Sequence, residues 1–278
     1  MHINHVYAAY FTGTETTKKI VTTIAWSIDP NYIDNDFSLP SARQKPLTYE
    51  AGDLVIFGTP VIAGRVPNLL LKYLAKIEGG GALAVPIVLF GNRSYDDALI
   101  ELRDILEKGG LHTIAAGAFV GEHSFSKVLA AGRPDNDDLQ RAEEFAASIR
   151  TKVEGIGDPA HPELADALRH PIEVDGTPYP YRPYYTPRDR NGKGIDIRKV
   201  KPKVNDNCDD CKLCADICPL GSISRDNVRE ITGICMHCNA CIKRCPKEAR
   251  YYDDPGYLYH EHELEAMYQR RADISLFI

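Results

Sequence analysis

The first 207 residues contain no cysteine, and all eight cysteines lie between Cys208 and Cys245. A secreted chain stapled by disulfides would spread its cysteines, so this tight cluster points to metal binding instead. Long apolar runs are missing too, and none approaches membrane-spanning length. The N-terminal residues Met1, His2, Ile3, Asn4 and His5 carry no basic stretch followed by an apolar one. No secretory signal is read there, and a cytoplasmic location is the expectation. No G-x-G-x-x-G follows an apolar strand, which argues against a nicotinamide-binding domain within the chain. A strong excess of one charge sign is also absent: a net charge of −6 over 278 residues gives no sign of nucleic-acid binding. The remaining composition, 44% hydrophobic and 26% charged, is ordinary for a globular protein. The length suffices for one mid-sized domain and a small one.

Residues 1–153 alternate apolar runs with amphipathic stretches. Residues 6–11 are apolar and end at Thr12-Gly13-Thr14. Over 16–28, Ile20, Ile24 and Ile28 share a helical face. Leu54-Val55-Ile56-Phe57 reads as a strand buried on both sides. Val66, Leu70, Tyr73, Leu74 and Ile77 form a second helical stripe. Residues 84–90 read as a strand weakened in its first half by Pro86, which has no amide to donate. Leu99, Leu102 and Leu106 mark a third helix, 113–120 a strand of small residues, and 136–153 a helix facing inward through Leu139, Ala142, Phe145 and Ala146. This alternation predicts a doubly wound α/β sheet.

Residues 154–200 change character. Pro159, Pro162, Pro171, Pro178, Pro180, Pro183 and Pro187 break any long element, while Tyr179, Tyr181, Tyr184 and Tyr185 make the stretch aromatic. Two readings stand side by side: an extended linker, or a strap that packs its tyrosines on a neighbouring domain. Residues 201–250 carry the cysteines. In the tail, 251–278, Leu264, Met267 and Tyr268 could share one face of a short helix. The apolar end Ile274-Ser275-Leu276-Phe277-Ile278 is expected to be docked.

The cysteines form two copies of one pattern. Cys208, Cys211, Cys214 and Cys218 precede Pro219; Cys235, Cys238, Cys241 and Cys245 precede Pro246. The copies start 27 residues apart. Three thiolates spaced by three residues on a tight loop can each reach a different iron of one cube, and the fourth points away to the other cube. One [4Fe-4S] cluster is therefore expected on Cys208, Cys211, Cys214 and Cys245, and a second on Cys235, Cys238, Cys241 and Cys218. The prolines end each copy. A pair of zinc sites is the alternative, but zinc usually joins two separated Cys-x2-Cys knuckles, without a third cysteine or a cysteine–proline end. His237 is expected to be an exposed loop residue. The segment resembles the bacterial-type two-cluster ferredoxins over about 45 residues, ligand for ligand. That resemblance implies low-potential one-electron transfer. Residues 201–250 carry nine Lys/Arg against seven Asp/Glu, a mixed surface that is more positive than in many simple ferredoxins.

Residues 11–17, Phe11-Thr12-Gly13-Thr14-Glu15-Thr16-Thr17, connect the first strand to the first helix. Hydroxyls and amides at a helix start can hold an anion without a full positive charge. The loop is similar to the phosphate loop of flavodoxins, in which Ser/Thr, a spacer, Thr, Gly, Asn and Thr cradle the FMN phosphate. By position, that resemblance makes Thr12, Gly13, Thr14, Thr16 and Thr17 the phosphate candidates. Glu15 departs from the family, standing where glycine is usual, and Thr16 stands where asparagine is common. Two more loops leave the carboxyl ends of central strands, where ligands bind in such sheets. Thr59, Pro60, Val61, Ile62 and Gly64 lie on one; Gly91, Asn92, Arg93, Tyr95 and Asp96 lie on the other. Both look like the loops that flank the flavin ring in flavodoxins, with Gly64 and Gly91 giving room and Tyr95 stacking. His123 and Phe125, after the last strand, could reach the same site.

Together these features resemble the flavodoxin–ferredoxin fusion proteins found mainly in anaerobes. The resemblance implies a flavodoxin-like doubly wound parallel sheet over 1–153, a strap or linker over 154–200, and a small α+β two-cluster ferredoxin domain over 201–250. It also implies electron transfer between FMN and two clusters, serving redox partner proteins with no nucleic acid and no membrane span. A flavin-dependent reductase of a small molecule, fed through the clusters, is the second reading.

Overall fold

The computed structural model describes residues 2–156 and 168–278. Pro159 and Pro162 of the proline-rich segment lie outside the described residues. The elements run in the order β1 (His5–Tyr10), α1 (Thr16–Ile28), β2 (Ile33–Asp36), β3 (Asp53–Pro60), α2 (Leu71–Leu74), β4 (Leu83–Phe90), α3 (Ala98–Lys108), β5 (His112–Thr113), β6 (Ala116–Val120) and α4 (Asn136–Gly155). Then follow β7 (Lys203–Val204), α5 (Leu213–Asp216), α6 (Ala240–Lys243), β8 (Arg250–Tyr251), α7 (Pro255–Met267) and β9 (Ser275–Phe277).

The main sheet has the order β2-β1-β3-β4-β6-β9, with β5 beside β4. All pairs are parallel except β6–β9. Parallel order 2-1-3-4-5 is the flavodoxin-like doubly wound arrangement, and β5 with β6 fills the fifth place. The central strands β3, β4 and β6 are buried on both faces, and the side chains of the sheet divide by parity. Val6, Ala8, Tyr10, Leu54, Ile56, Leu83, Val85 and Ile87 meet α1 and α4. Ala9, Phe11, Val55, Phe57, Ala84, Val88 and Phe90 meet the layer holding Leu70, Leu74, Leu99, Leu102 and Leu106. Each fully buried Val, Leu, Ile or Phe side chain here contributes about 1.5–3 kcal/mol relative to exposure.

Two expectations need correction. The strand read over 113–120 is broken at Ile114–Ala115 into β5 and β6. The break lies beside Val85–Pro86 of β4, because β5 pairs with Leu83–Ala84 and β6 begins at Ile87. Pro86, which offers no amide, thus sits at the gap while β4 itself runs unbroken. The stripe from Val66 to Ile77 is a 3-10 turn, the four-residue α2 and further short turns. Its face is nonetheless the buried one, with Val66, Leu70, Leu74 and Ile77 in the core.

The proline-rich segment packs against the sheet domain on its described side. Tyr181 and Tyr184 sandwich the Arg65 guanidinium at 4.7 and 4.9 Å. The Tyr184 hydroxyl donates to Val66 O at 2.8 Å, and Tyr181 to Asp104 at 2.7 Å. Of the four, Tyr179 is the most exposed at 81%, and Tyr185 is exposed as well. The tail returns to the sheet: β9 adds antiparallel to β6 in the register Gly117↔Leu276. Leu264 and Met267 lie three residues apart on α7 with Tyr268 as its C-cap, and of the two Leu264 is buried while Met267 is 67% exposed. No helix among the described residues is long and apolar enough to cross a membrane.

Candidate functional site

The cysteine segment is bracketed by the antiparallel pair β7–β8. Inside it the two copies repeat in conformation as well as in sequence. Asp210 and Lys212 have φ of 61° and 65°; their equivalents His237 and Asn239 have 57° and 58°. Gly221 and Glu248, each three residues after the last cysteine of its copy, are also left-handed. Non-glycine residues adopt this conformation at a cost, and here it recurs at the same two positions between the cysteines of each copy. A short helix follows each loop, α5 and α6. At the end of each copy an amide points at a sulfur: Ser222 N to Cys218 Sγ at 3.3 Å, and Ala249 N to Cys245 Sγ at 3.4 Å.

Two small hollows lie among the cysteines. Cys208, Cys211, Cys214 and Cys245 line the first; Cys218, Cys235, Cys238 and Cys241 line the second, and Cys241 borders the first as well. The fourth cysteine of each copy thus lies with the first three of the other. Burial pushes the Cys238 thiol up to about 12, with nearby Cys235 and Cys218 adding to the shift. Burial likewise raises Cys241. Buried thiols of this kind ionise only against a strong local positive charge, which a metal core supplies. The donor chemistry fits sulfur-ligated clusters, while among the described residues no three cysteine, histidine or acidic side chains are gathered closely enough to hold a single metal ion. His237 is not the exposed residue expected. Its Nε2 lies 2.8 Å from Val200 O, and its ring packs on Tyr252 and Tyr257.

The three loops expected for a flavin all leave carboxyl ends of the parallel strands. The strand order reverses between β1 and β3, the point where such sheets bind ligands. At the loop 12–17, Glu15 is the N-cap of α1 with φ 69° and forms no capping hydrogen bond. The first-turn amides therefore keep their donors for another acceptor. The left-handed φ explains why glycine suits this position. The Glu15 carboxylate turns outward, to Arg244 at 2.8 Å and Lys18 at 4.0 Å. Thr12 N donates to Ser38 Oγ at 2.9 Å. The Thr12 and Thr59 hydroxyls are buried without a hydrogen-bond partner, the kind of orphan a polar ligand would satisfy. Thr17 is buried, and a Cβ at Gly58 would fall 2.9 Å from its methyl. Thr14 and Thr16, with Lys18 and Lys19, line an open groove beside the loop.

The other two loops lock onto each other and onto the strap. Gly64, at φ 79°, is crossed by the Asp96 carboxylate, 2.4 Å from where a Cβ would stand. Val61 N donates to Leu89 O, and Asp97 N to Gly64 O. Ile62 closes a small bridge with Arg65, and Pro60 pairs with Leu89 in the sheet. Arg93 pairs with Asp96 and stacks on Tyr185 at 4.6 Å, while Tyr185 N donates to Ala63 O at 2.8 Å. A strap tyrosine thus bridges both loops. Tyr95, expected to stack on the flavin, packs on Phe90 and reaches Asp175. Asn92 is spent on the tail: its side chain donates to Tyr268 O and Arg270 O and accepts from Ala272 N. Gly91 faces His123, whose ring lies 2.4 Å from a Cβ built there.

Sequence reasoning missed Asp97 and Asn239. Asp97 is fully buried and accepts from Thr177 N, Arg182 N and the Arg182 guanidinium. Burial alone would raise its carboxyl, but these donors hold it well below the usual carboxylate range. Asn239 ties the second cysteine copy to the sheet domain through Ser124 O at 2.9 Å and to Tyr257 OH at 2.8 Å. The two candidate sites also touch. A Cβ on Gly13 would lie 3.0 Å from the Cys238 Cβ.

No protein-family model matches the chain, and no curated protein does. Among solved structures, a flavodoxin from the domain Archaea is similar at 14% identity and a TM-score of 0.38, covering 54% of this chain and 99% of its own. A flavodoxin of Streptococcus pneumonia is similar at 17% identity and a TM-score of 0.37, covering 53% of this chain and 98% of its own.

Proposed function

We propose that the chain is an electron-transfer protein that holds two [4Fe-4S] clusters and FMN. One cluster is held by Cys208, Cys211, Cys214 and Cys245, and the other by Cys218, Cys235, Cys238 and Cys241. When bound, the cubes carry single electrons and the flavin exchanges one or two. The observation that carries this reading is the pair of small hollows, each bordered by three cysteines of one copy and the fourth of the other. The chain's own part is to position and to insulate. The left-handed residues would wind each loop around its centre, and the Ser222 and Ala249 amides point at ligand sulfurs, where such contacts tune potential. The free amides of the α1 start and the Thr14, Thr16 and Thr17 region would hold the FMN phosphate without a full positive charge. Thr12 and Thr59 would offer their unpaired hydroxyls. The contact of Gly13 with Cys238 sets the phosphate loop directly against the second cysteine copy.

Two variants separate the parts. Cys214→Ser should remove or weaken the cluster it shares with Cys245 and leave flavin bound; unchanged iron content would rule out this ligand assignment. Thr14→Ala with Thr17→Ala should lower FMN affinity by about tenfold or more, from one to two lost hydrogen bonds to a charged group. Measured by fluorescence titration, unchanged affinity would place the phosphate elsewhere.

A further inference from the structure

The two cysteine copies share a backbone but not surroundings. In the first copy Asp209, Asp210 and Cys211 are exposed, as are Asp206 and Asn207 just before it. In the second copy Ile234, in place of Asn207, is exposed, but the residues equivalent to Asp209, Asp210 and Cys211 are half-buried. Met236, in place of Asp209, packs against the core of the main sheet. His237, in place of Asp210, meets Val200 O and the Tyr252 and Tyr257 rings. Cys238 lies on Gly13, and Asn239, in place of Lys212, is buried on Ser124 and Tyr257. The short helix after the second copy is tied down as well, Lys243 to Glu122 and Ser126 O, and Arg244 to Glu15. Among the described residues its counterpart after the first copy shows a surface pair instead, Asp216 with Arg225.

We infer that the loop 206–212 is the surface on which an external one-electron redox protein docks, while its duplicate at 235–239 is committed to contact inside the chain. This rests on the cluster reading above. Electron exchange falls steeply with distance, so a partner must approach a centre closely, and only the first copy leaves a ligand cysteine at the surface. The charged groups on this loop are already paired with opposite neighbours: Asp206 with Arg229, Asp209 with Lys247, Asp210 with Lys212. A polar, mixed-charge surface of this kind suits the small, short-lived interfaces of redox encounters. In each event one electron leaves the partner and enters the chain, or the reverse, with no bond made or broken.

The experiment uses the anaerobically prepared holoprotein. Iron near eight per chain must first be found; a lower value fails the cluster reading itself and is recognised before the next step. Slow chelation in the presence of an alkylating reagent, read by mass spectrometry, should label Cys208, Cys211, Cys214 and Cys245 before Cys238 and Cys241. Labelling of Cys238 and Cys241 first, or of all together, would overturn the inference. Independently, reduction by a small cationic viologen should slow roughly tenfold at low ionic strength in Asp206→Lys with Asp209→Asn, and reduction by an anionic probe should quicken. Glu143→Lys, on the exposed face of α4, should change neither rate. Equal effects from the loop and the α4 variant would place electron entry elsewhere, and a loop variant that loads no iron leaves the wild-type labelling order to decide.

Discussion

Glu15 occupies a conformation that costs a non-glycine residue about 1–2 kcal/mol, and its only return in the structure is a half-exposed pair with Arg244 and Lys18. Such pairs contribute about 0–1 kcal/mol. Glu15→Gly should therefore leave the melting temperature unchanged or raise it, and a clear loss in a thermal melt would mean that the carboxylate does more than pair with Arg244. Gly13 is the opposite case. A side chain there meets Cys238, so Gly13→Val should push the cysteine segment off the loop and lower iron content, whereas a fully loaded variant would show the contact to be slack. These residues divide in how legible they were. The eight cysteines could be read from spacing, because ligand geometry fixes their intervals. The glycine-like role of Glu15 could be read only from its place in the loop. Asn239 gave no signal, since an asparagine between two cysteines looks like any turn residue until Ser124, 115 residues away, is found beside it.

At the scale of elements, one buried carboxylate gathers several of the strap's fastenings. Asp97 accepts from four donors of Thr177 and Arg182, across 80 and 85 residues of sequence. Asp97→Asn should cost about 2–4 kcal/mol, concentrated in the strap, and should speed amide exchange over 177–185. Exchange unaltered there would mean that the tyrosines alone hold it. The strands and α1, α3 and α4 were legible because their apolar period is local. The stripe from Val66 to Ile77 revealed its buried face but not its short turns, since 3-10 and α turns place residues three or four apart on nearly the same side. The packing of the strap was not legible, because long-range pairs such as Asp97–Arg182 leave no periodic trace. The docked tail was anticipated from its apolar end; the choice of β6 as its partner was not.

The whole molecule joins the sheet domain, the strap, the cysteine segment and α7 around one aromatic cluster. Phe125 lies 4.7 Å from Tyr257, which stacks on Tyr252 at 3.8 Å, and His123 and His260 close the group. Burial pushes His123 down to about 4, helped by His260, Lys243 and Arg93. Burial, with Arg93, does the same to His260. An unfolded histidine takes its proton near about pH 6.5. Between the two values the unfolded chain binds more protons, so this contribution to stability is full above about pH 6.5 and is lost as pH falls toward about 4. Thermal melts under anaerobic conditions should move downward from about pH 7.5 to about pH 5, and His123→Gln should flatten that slope. A slope unchanged in the variant would assign the effect to other groups.

The decisive measurement is elemental and cofactor analysis of the protein purified without oxygen. About eight irons and eight acid-labile sulfides per chain are expected, together with one releasable FMN. A colourless protein, or one carrying zinc in place of iron, would contradict the assignment of the eight cysteines to paired clusters.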